Sequence, residues 1–246
     1  VIDVATCDFK ELHPTEGYKK MAALTLPSYR VEDLEGHAVE AKIEDLGANF
    51  EYDLPKDKFR QARIARQVRV TVPVHLAPLS WTTFQLLEGE QEHRDGIYQN
   101  GVIDTPFITV SVDENITVYD KTTHEAYEDV IRFEDRGDIG NEYIYFQPKG
   151  TEPIYAELKG CEVLENTARF AKILLKHELT IPVSADEKLD AEQRGIIEFM
   201  TREAGRSEEL TTLPLETEMT VFVDNPQIRF KTRFTNTAKD HRIRLL

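Results

Sequence analysis

Four carboxylates, Glu134, Asp135, Asp138 and Glu142, fall within nine residues of the segment RFEDRGDIGNEYIYFQP (132–148), with Gly137 and Gly140 between them. Glycine admits positive φ and lets a backbone approach a ligand closely. Acid-rich glycine loops bind calcium, but the EF-hand order of oxygen ligands is missing here. Carboxylates such as Asp138 beside Tyr143 and Tyr145 suit a sugar instead. Acids and amides take the hydroxyl hydrogen bonds, and a ring packs on the apolar face of a pyranose. Against this stands a plain solvated loop with its tyrosines packed in the core. Both readings stay open.

A second reactive-looking cluster closes the chain. In DNPQIRFKTRFTNTAKDHRIR (224–244), Asn236, Asp240, His241, Arg242 and Arg244 crowd into nine residues. His241 beside Asp240 has the form of a catalytic pair, yet no Ser or Cys nucleophile signature accompanies it, so a buried structural corner is expected. The seven histidines (13, 37, 75, 93, 124, 177, 241) stand singly, without an HxH, HxD or HExxH pair. No zinc site within this chain, and no catalytic residue, is therefore expected. Cys7 and Cys161 are too few and too far apart for a disulfide framework, and two free thiols fit better. Nucleophile-elbow, Walker and dinucleotide fingerprints are absent. Asn115-Ile116-Thr117 is a glycosylation sequon that matters only in a secreted protein.

The elements that must hold these clusters are mostly strands. Residues 66–76 place Val68, Val70, Val72, Val74 and Leu76 on one face, and Pro73, which lacks a ladder donor, marks an edge strand or a bulge. Alternating runs flank the turn Asp113-Glu114-Asn115 within 107–119, and a further pair (154–163 and 169–181) flanks 165–168. Asp224-Asn225-Pro226-Gln227 is a turn signal, followed by Ile228, Phe230, Thr232 and Phe234 alternating with cations. A turn centred between Asn225 and Pro226 would set Glu218 opposite Arg233 and Thr220 opposite Lys231. Met219, Val221 and Val223 would then close an apolar face over Thr232, Phe230 and Ile228. Residues 190–203 read as a helix capped by Asp190 or as a short strand, with Gly195 weakening the helix. Trp81 is expected in a core.

Composition narrows the function. Hydrophobic content of 40% with 30% charged residues is that of a globular protein. A net charge of −15 repels nucleic acid and anionic membranes. No run of 18 apolar residues is present. The chain opens on VIDVATCDFK, without Met or a signal-peptide pattern, so either a leader was removed or this is a piece of a longer polypeptide. The missing signal with the few cysteines leans towards a cytoplasmic setting. The charged stretch 88–96 is the expected boundary between a first sandwich and a larger β unit.

The stretch 224–244 resembles the C-terminal β-region of family 38 α-mannosidases, where a D-N-P-x-hydrophobic-x-F-K-T strand enters an N-x-A-x-D-H-R-hydrophobic-R corner. Segment 132–148 is similar too, an acidic glycine loop running into a tyrosine-bearing strand that ends at a proline, although Asn141 stands where the pattern has aspartate. The resemblance implies a mainly β fold. Residues 1–88 would form a smaller immunoglobulin-like β-sandwich, and 95–246 part of a galactose-mutarotase-like β-supersandwich. It also implies partners in the same polypeptide: a (β/α) catalytic domain holding zinc and the nucleophile, and a helical domain. The implied reaction is retaining hydrolysis of terminal α-mannosides, in which one carboxylate attacks the anomeric carbon while another protonates the leaving oxygen. None of those residues lies in this chain. By the same resemblance a tyrosine here reaches the neighbouring active site, Tyr143 by position, with Tyr145 allowed by the offset from Pro148. Two rival readings are a stand-alone carbohydrate-binding sandwich and a structural β module. Oligomeric state is left open, a homo-oligomer included.

Overall fold

The fold is that of a computed structural model, which describes residues 1–8, 13–54, 56–57, 59–92 and 94–246. The chain divides into two compact units, Val1–His93 and Arg94–Leu246. Both are built mainly of antiparallel strands, and no helix among the described residues is long and apolar enough to cross a membrane.

The first unit runs β1 (Ile2–Asp8), α1 (Pro14–Ala22), β2 (Tyr29–Asp33), β3 (Ala38–Val39), β4 (Lys42–Asp53), β5 (Gln61–Thr71) and β6 (Phe84–Glu88). These form two three-stranded sheets, ordered β1-β5-β4 and β3-β2-β6. Helix α1 starts at Pro14, whose fixed φ and missing N–H suit the first helical turn. Its Met21 packs with Cys7 of β1 and Ile64 of β5. Strand β5 differs from its expected bounds. It lies in the middle of its sheet and stops at Thr71, two residues before Pro73. A central strand needs every ladder donor, so it ends where proline would remove one. Val74 and Leu76 consequently lie outside it and are exposed. Trp81 is also exposed, at 81%, on the segment that leads into β6 rather than in a core.

The second unit continues with β7 (Tyr98–Gln99), β8 (Val102–Asp104), β9 (Ile108–Val112), β10 (Ile116–Asp120), β11 (Glu125–Tyr127), β12 (Phe133–Gly137), β13 (Ile154–Tyr155), β14 (Glu157–Asn166) and β15 (Phe170–Pro182). After these come α2 (Glu187–Arg194), a 3-10 turn (Phe199–Thr201), β16 (Leu210–Phe222), β17 (Ile228–Phe234) and β18 (His241–Leu245). Three sheets result: β11-β10-β9-β8-β7, β13-β12-β18 and β14-β15-β16-β17. The long strands β15 and β16 bury every second residue, as a strand with one covered face must. Their inner face covers both other sheets in turn. Ile173, Leu175, Met219 and Val221 pack with Ile103, Val110 and Val118 of the five-stranded sheet. Leu179, Ile181, Leu213 and Leu215 pack with Ile131 and with Phe133 of the three-stranded one. The unit is thus a β-sandwich with one extended layer facing two smaller ones.

The C-terminal hairpin is present, but its register lies two residues from the expected one. Glu218 pairs with Lys231, Met219 with Phe230 and Val221 with Ile228. The Asn225 side chain accepts from the Gln227 N–H at 3.0 Å, and this short turn moves the hairpin centre to between Asp224 and Asn225. A shift of two preserves the faces, so Met219 and Val221 stay fully buried. Segment 190–203 is mostly neither expected element. Helix α2 begins four residues earlier, at an Asp186 cap accepting from Lys188 N at 3.0 Å, and ends at Gly195. Ile196, Ile197 and Met200 follow it and are exposed.

Candidate functional site

The two clusters singled out in the sequence, about a hundred residues apart, are neighbours in one sheet. Strand β12 carries Glu134 and Asp135 and pairs antiparallel with β18, so that Glu134 faces Arg244 and Gly137 faces His241. The polar corner is therefore the clasp of the acidic glycine loop.

Both buried carboxylates of the clasp are paired. Glu134 is 2% exposed. Its carboxylate accepts from Arg136 Nε at 2.8 Å, Arg244 Nε at 2.9 Å and the Tyr155 hydroxyl at 3.2 Å. Asp135 is fully buried. It accepts from His241 Nδ1 at 2.6 Å and Arg206 Nη1 at 2.5 Å. His241 is thus held by Asp135 and not by its sequence neighbour Asp240, and no serine or cysteine nucleophile contacts it among the described residues. The His241 side chain is 3% exposed in this corner, whereas Asn236 and Asp240 are exposed. Asp240 turns the chain at φ 52°, accepts from Ala185 N through its side chain, and its carbonyl receives the Asp138 N–H at 2.8 Å.

Hydrogen bonds from Arg136, then Arg244, hold the Glu134 carboxyl down to a pKa of about 2, from an ordinary 4.5. A depressed acid contributes stability that is complete above its unfolded pKa and disappears as pH falls through the folded one. Here that window runs from about pH 4.5 down to about 2. Glu134→Gln should therefore flatten the loss of stability across this window, measured as urea midpoints over a pH series. The same pH slope in wild type and variant would show that Glu134 does not carry it.

The loop above the clasp closes on itself. Ile139 N donates to Phe146 O at 2.8 Å and Asn141 N to Ile144 O at 3.0 Å. One Asp138 oxygen accepts from both Gly140 N and Phe146 N, and the Asn141 side chain accepts from Tyr143 N and Ile144 N. Asparagine supplies the needed acceptor where the family pattern has aspartate. A Cβ at Gly140 would overlap the Ile144 carbonyl oxygen, so the tight return requires glycine. The tyrosines lie on this return, outside any strand, because the backbone bonds within the loop rather than into a sheet. Buried Arg202 ties the loop from below, donating to the carbonyls of Ile139, Gly140 and Ile197. Arg202 and Arg206 were not legible as site residues, because no motif marks a lone arginine that reaches back over sixty positions.

The three candidate residues separate by geometry. Tyr145 is half-buried, with its ring under the Arg242 guanidinium at 3.6 Å and its hydroxyl on Gln147 at 3.3 Å. Asp138 spends one oxygen capping the loop. Tyr143 projects outward at 87% exposure, and no side-chain hydrogen bond holds it among the described residues. Such a ring is placed to donate or accept a hydroxyl bond outside its own unit.

Among the described residues, one group of potential metal ligands lacks the HxH, HxD or HExxH spacing. Asp33, Glu35 and His37 each bring a ligand atom within 4.8 Å of the others, in the first unit. The Asp33 carboxylate already accepts from Glu35 N and His37 N at 2.9 Å, the pattern of a capped turn. Those bonds, the His37 N–H first, pull its pKa down.

Residues 1–88 match the family model for glycosyl hydrolases family 38 C-terminal domain 1. Across 92% of its length the chain is 30% identical to a protein of Halalkalibacterium halodurans named for mannosylglycerate hydrolysis, covering 27% of that protein. The crystal structure of an α-mannosidase from Enterococcus faecalis V583 superposes with a TM-score of 0.83 at 34% identity. That likeness covers 99% of this chain and 28% of the other. A second Enterococcus faecalis structure, of a protein in the glycosyl hydrolase family 38, matches at a TM-score of 0.78 and 29% identity, over 99% of this chain and 30% of that one. The chain thus spans under a third of each of these relatives.

Proposed function

We propose that this chain, which belongs to glycoside hydrolase family 38, is the β-region that supports an α-mannoside hydrolase and contributes Tyr143 to the wall of its sugar site. The observation that carries the reading is the exposure of Tyr143 at the tip of a loop whose root is a buried, paired ionic network. A rigid root with a free tip is how a scaffold presents a positioning group to a neighbour. Partners in the proposal are the (β/α) and helical domains of the same polypeptide, in a cytoplasmic setting that suits the two free thiols of Cys7 and Cys161.

The chemistry proposed for the complete polypeptide is retaining cleavage of a terminal α-mannoside, with zinc bound by the catalytic domain. The described residues of this chain offer that metal little. The Asp33, Glu35 and His37 group lies at a capped turn. In the acidic loop Asp138 commits one oxygen to backbone N–H groups, while Asp135 is paired with His241 and Arg206. The part left to this chain is to hold a hydroxyl donor beside the sugar and to exclude water around it.

Activity tests the division of labour. The 246-residue chain supplied with zinc should leave 4-nitrophenyl α-mannoside unhydrolysed, whereas the complete polypeptide should turn it over. Turnover by the chain alone, abolished by a point mutation within it, would overturn the assignment.

A further inference from the structure

Helix α2 ends in a left-handed cap that carries isoleucine where glycine is usual. Gly195 is the cap residue, Ile197 N donates to Glu192 O at 2.9 Å, and Ile196 N donates to Gln193 O at 3.1 Å. This pair of bonds needs a left-handed residue directly after the cap. That residue is Ile196, at φ 54°. Positive φ is a true outlier for a β-branched side chain, and strain of this kind gathers at functional positions. Little within the unit offsets it, because Ile196 is 91% exposed.

Ile196 does not stand alone. Ile197 and Met200 follow it and are exposed, and their segment packs against the loop that carries Tyr143. Phe199 meets Phe146 edge-on at 5.6 Å, and Glu203 pairs with Lys149 at 2.8 Å. Arg202 donates to Ile197 O at 3.2 Å and to Gly140 O at 2.7 Å. Exposed Tyr143 and Ile144 therefore lie on a segment adjoining that of exposed Ile196, Ile197 and Met200. Large uncharged side chains gathered in this way have the composition of an interface centre rather than of a solvated face.

We propose that these two segments form a docking face, anchored by Ile196 and covered by the part of the longer polypeptide that lies outside this chain. Length and charge choose the occupant. The matches leave about seven-tenths of each Enterococcus faecalis relative outside them, so the polypeptide proposed above carries ample further surface. A second copy would instead bring a net charge of −15 against its equal, which opposes association. Docking removes the Ile196 side chain from water, and that burial offsets the strain of its backbone. The inference rests on the reading that this chain supports a catalytic domain, and adds an apolar anchor beside Tyr143.

Oxidation of methionine tests the cover directly. Met21 and Met219 are buried, so of the three methionines Met200 alone is exposed. After treatment with dilute hydrogen peroxide, peptide mass spectrometry should show Met200 sulfoxide forming about fivefold more slowly in the complete polypeptide than in this chain alone. Equal rates would overturn the docking face, as would a Met200 already protected in the chain alone. Protection that fades on dilution would make the cover a second copy and overturn the assigned occupant. Ile196→Gly should raise the melting temperature of the chain alone by about 2–8 °C, since glycine takes positive φ without strain. In the complete polypeptide the same change should speed Met200 oxidation towards the rate of the chain alone. An unchanged or lowered melting temperature would show the Ile196 side chain held within its own unit, against the proposal. Neither readout involves turnover, so the docking face and the Tyr143 reading can fail separately. A protected Met200 beside a kinetically silent Tyr143→Phe would retire the pocket wall and leave the docking face standing.

Discussion

Asp135→Ala should destabilise the second unit by about 3–5 kcal/mol, the usual consequence of removing one partner from a buried charge pair. Asp135 is fully buried, and it faces two groups that are nearly so: the side chains of Arg206 and His241 are 8% and 3% exposed. Alanine would leave the Arg206 guanidinium without its carboxylate and the His241 Nδ1 without an acceptor. Each would then bear its desolvation uncompensated. At roughly 2–4 °C per kcal/mol for a domain of this size, the melting temperature should fall by about 6–20 °C. Asp135→Asn should fall between the two, since the amide keeps the shape and one acceptor but loses the charge. Thermal unfolding followed by circular dichroism reads both variants. A loss below about 1 kcal/mol for Asp135→Ala would mean that water or rearrangement replaces the carboxylate, and that the clasp under the loop is weaker than its geometry implies.

The consequence for the loop follows from β12. That strand delivers Asp135 and, a few residues on, the return that carries Tyr143. Asp138 N donates to Asp240 O one residue before His241, so a loosened His241 corner also frees the loop's first anchor.

Local features were the legible part of the fold. The 108–120 hairpin turns where Asp113-Glu114-Asn115 signals it, with Ile116 paired to Val112. The 216–234 hairpin has the expected faces, because alternation fixes parity. The two-residue offset depended on which turn residue bonds its own backbone, and Asp224 and Asn225 are both competent there. The cap of α2 was misplaced for a similar reason. Asp186 and Asp190 are equally good N-caps in sequence, and only the tertiary bond from Gly205 N to Asp186 separates them. Trp81 was expected in a core and is 81% exposed.

The site was legible in pieces but not as a whole. The acidic loop and the histidine corner each stood out by composition. Their pairing across β12 and β18 is a non-local contact that no periodicity reports. The family resemblance rested on 132–148 and 224–244, whereas the family model matches 1–88. Of the candidate residues, only burial and bonding could set Tyr143 apart from Tyr145, because both are tyrosines two positions apart in a loop expected to be a strand.

Tyr143→Phe in the complete polypeptide tests the central claim most directly. The change removes one hydroxyl and nothing else, from a side chain that is 87% exposed in its own unit. Loss of a hydrogen bond to a neutral sugar hydroxyl amounts to about 0.5–1.5 kcal/mol, or roughly a three- to tenfold fall in kcat/KM for an α-mannoside. The melting temperature should not move, since among the described residues no side-chain hydrogen bond holds that hydroxyl. A reduced kcat/KM at unchanged melting temperature is the result this account predicts, and a lowered melting temperature with unchanged kcat/KM would contradict it.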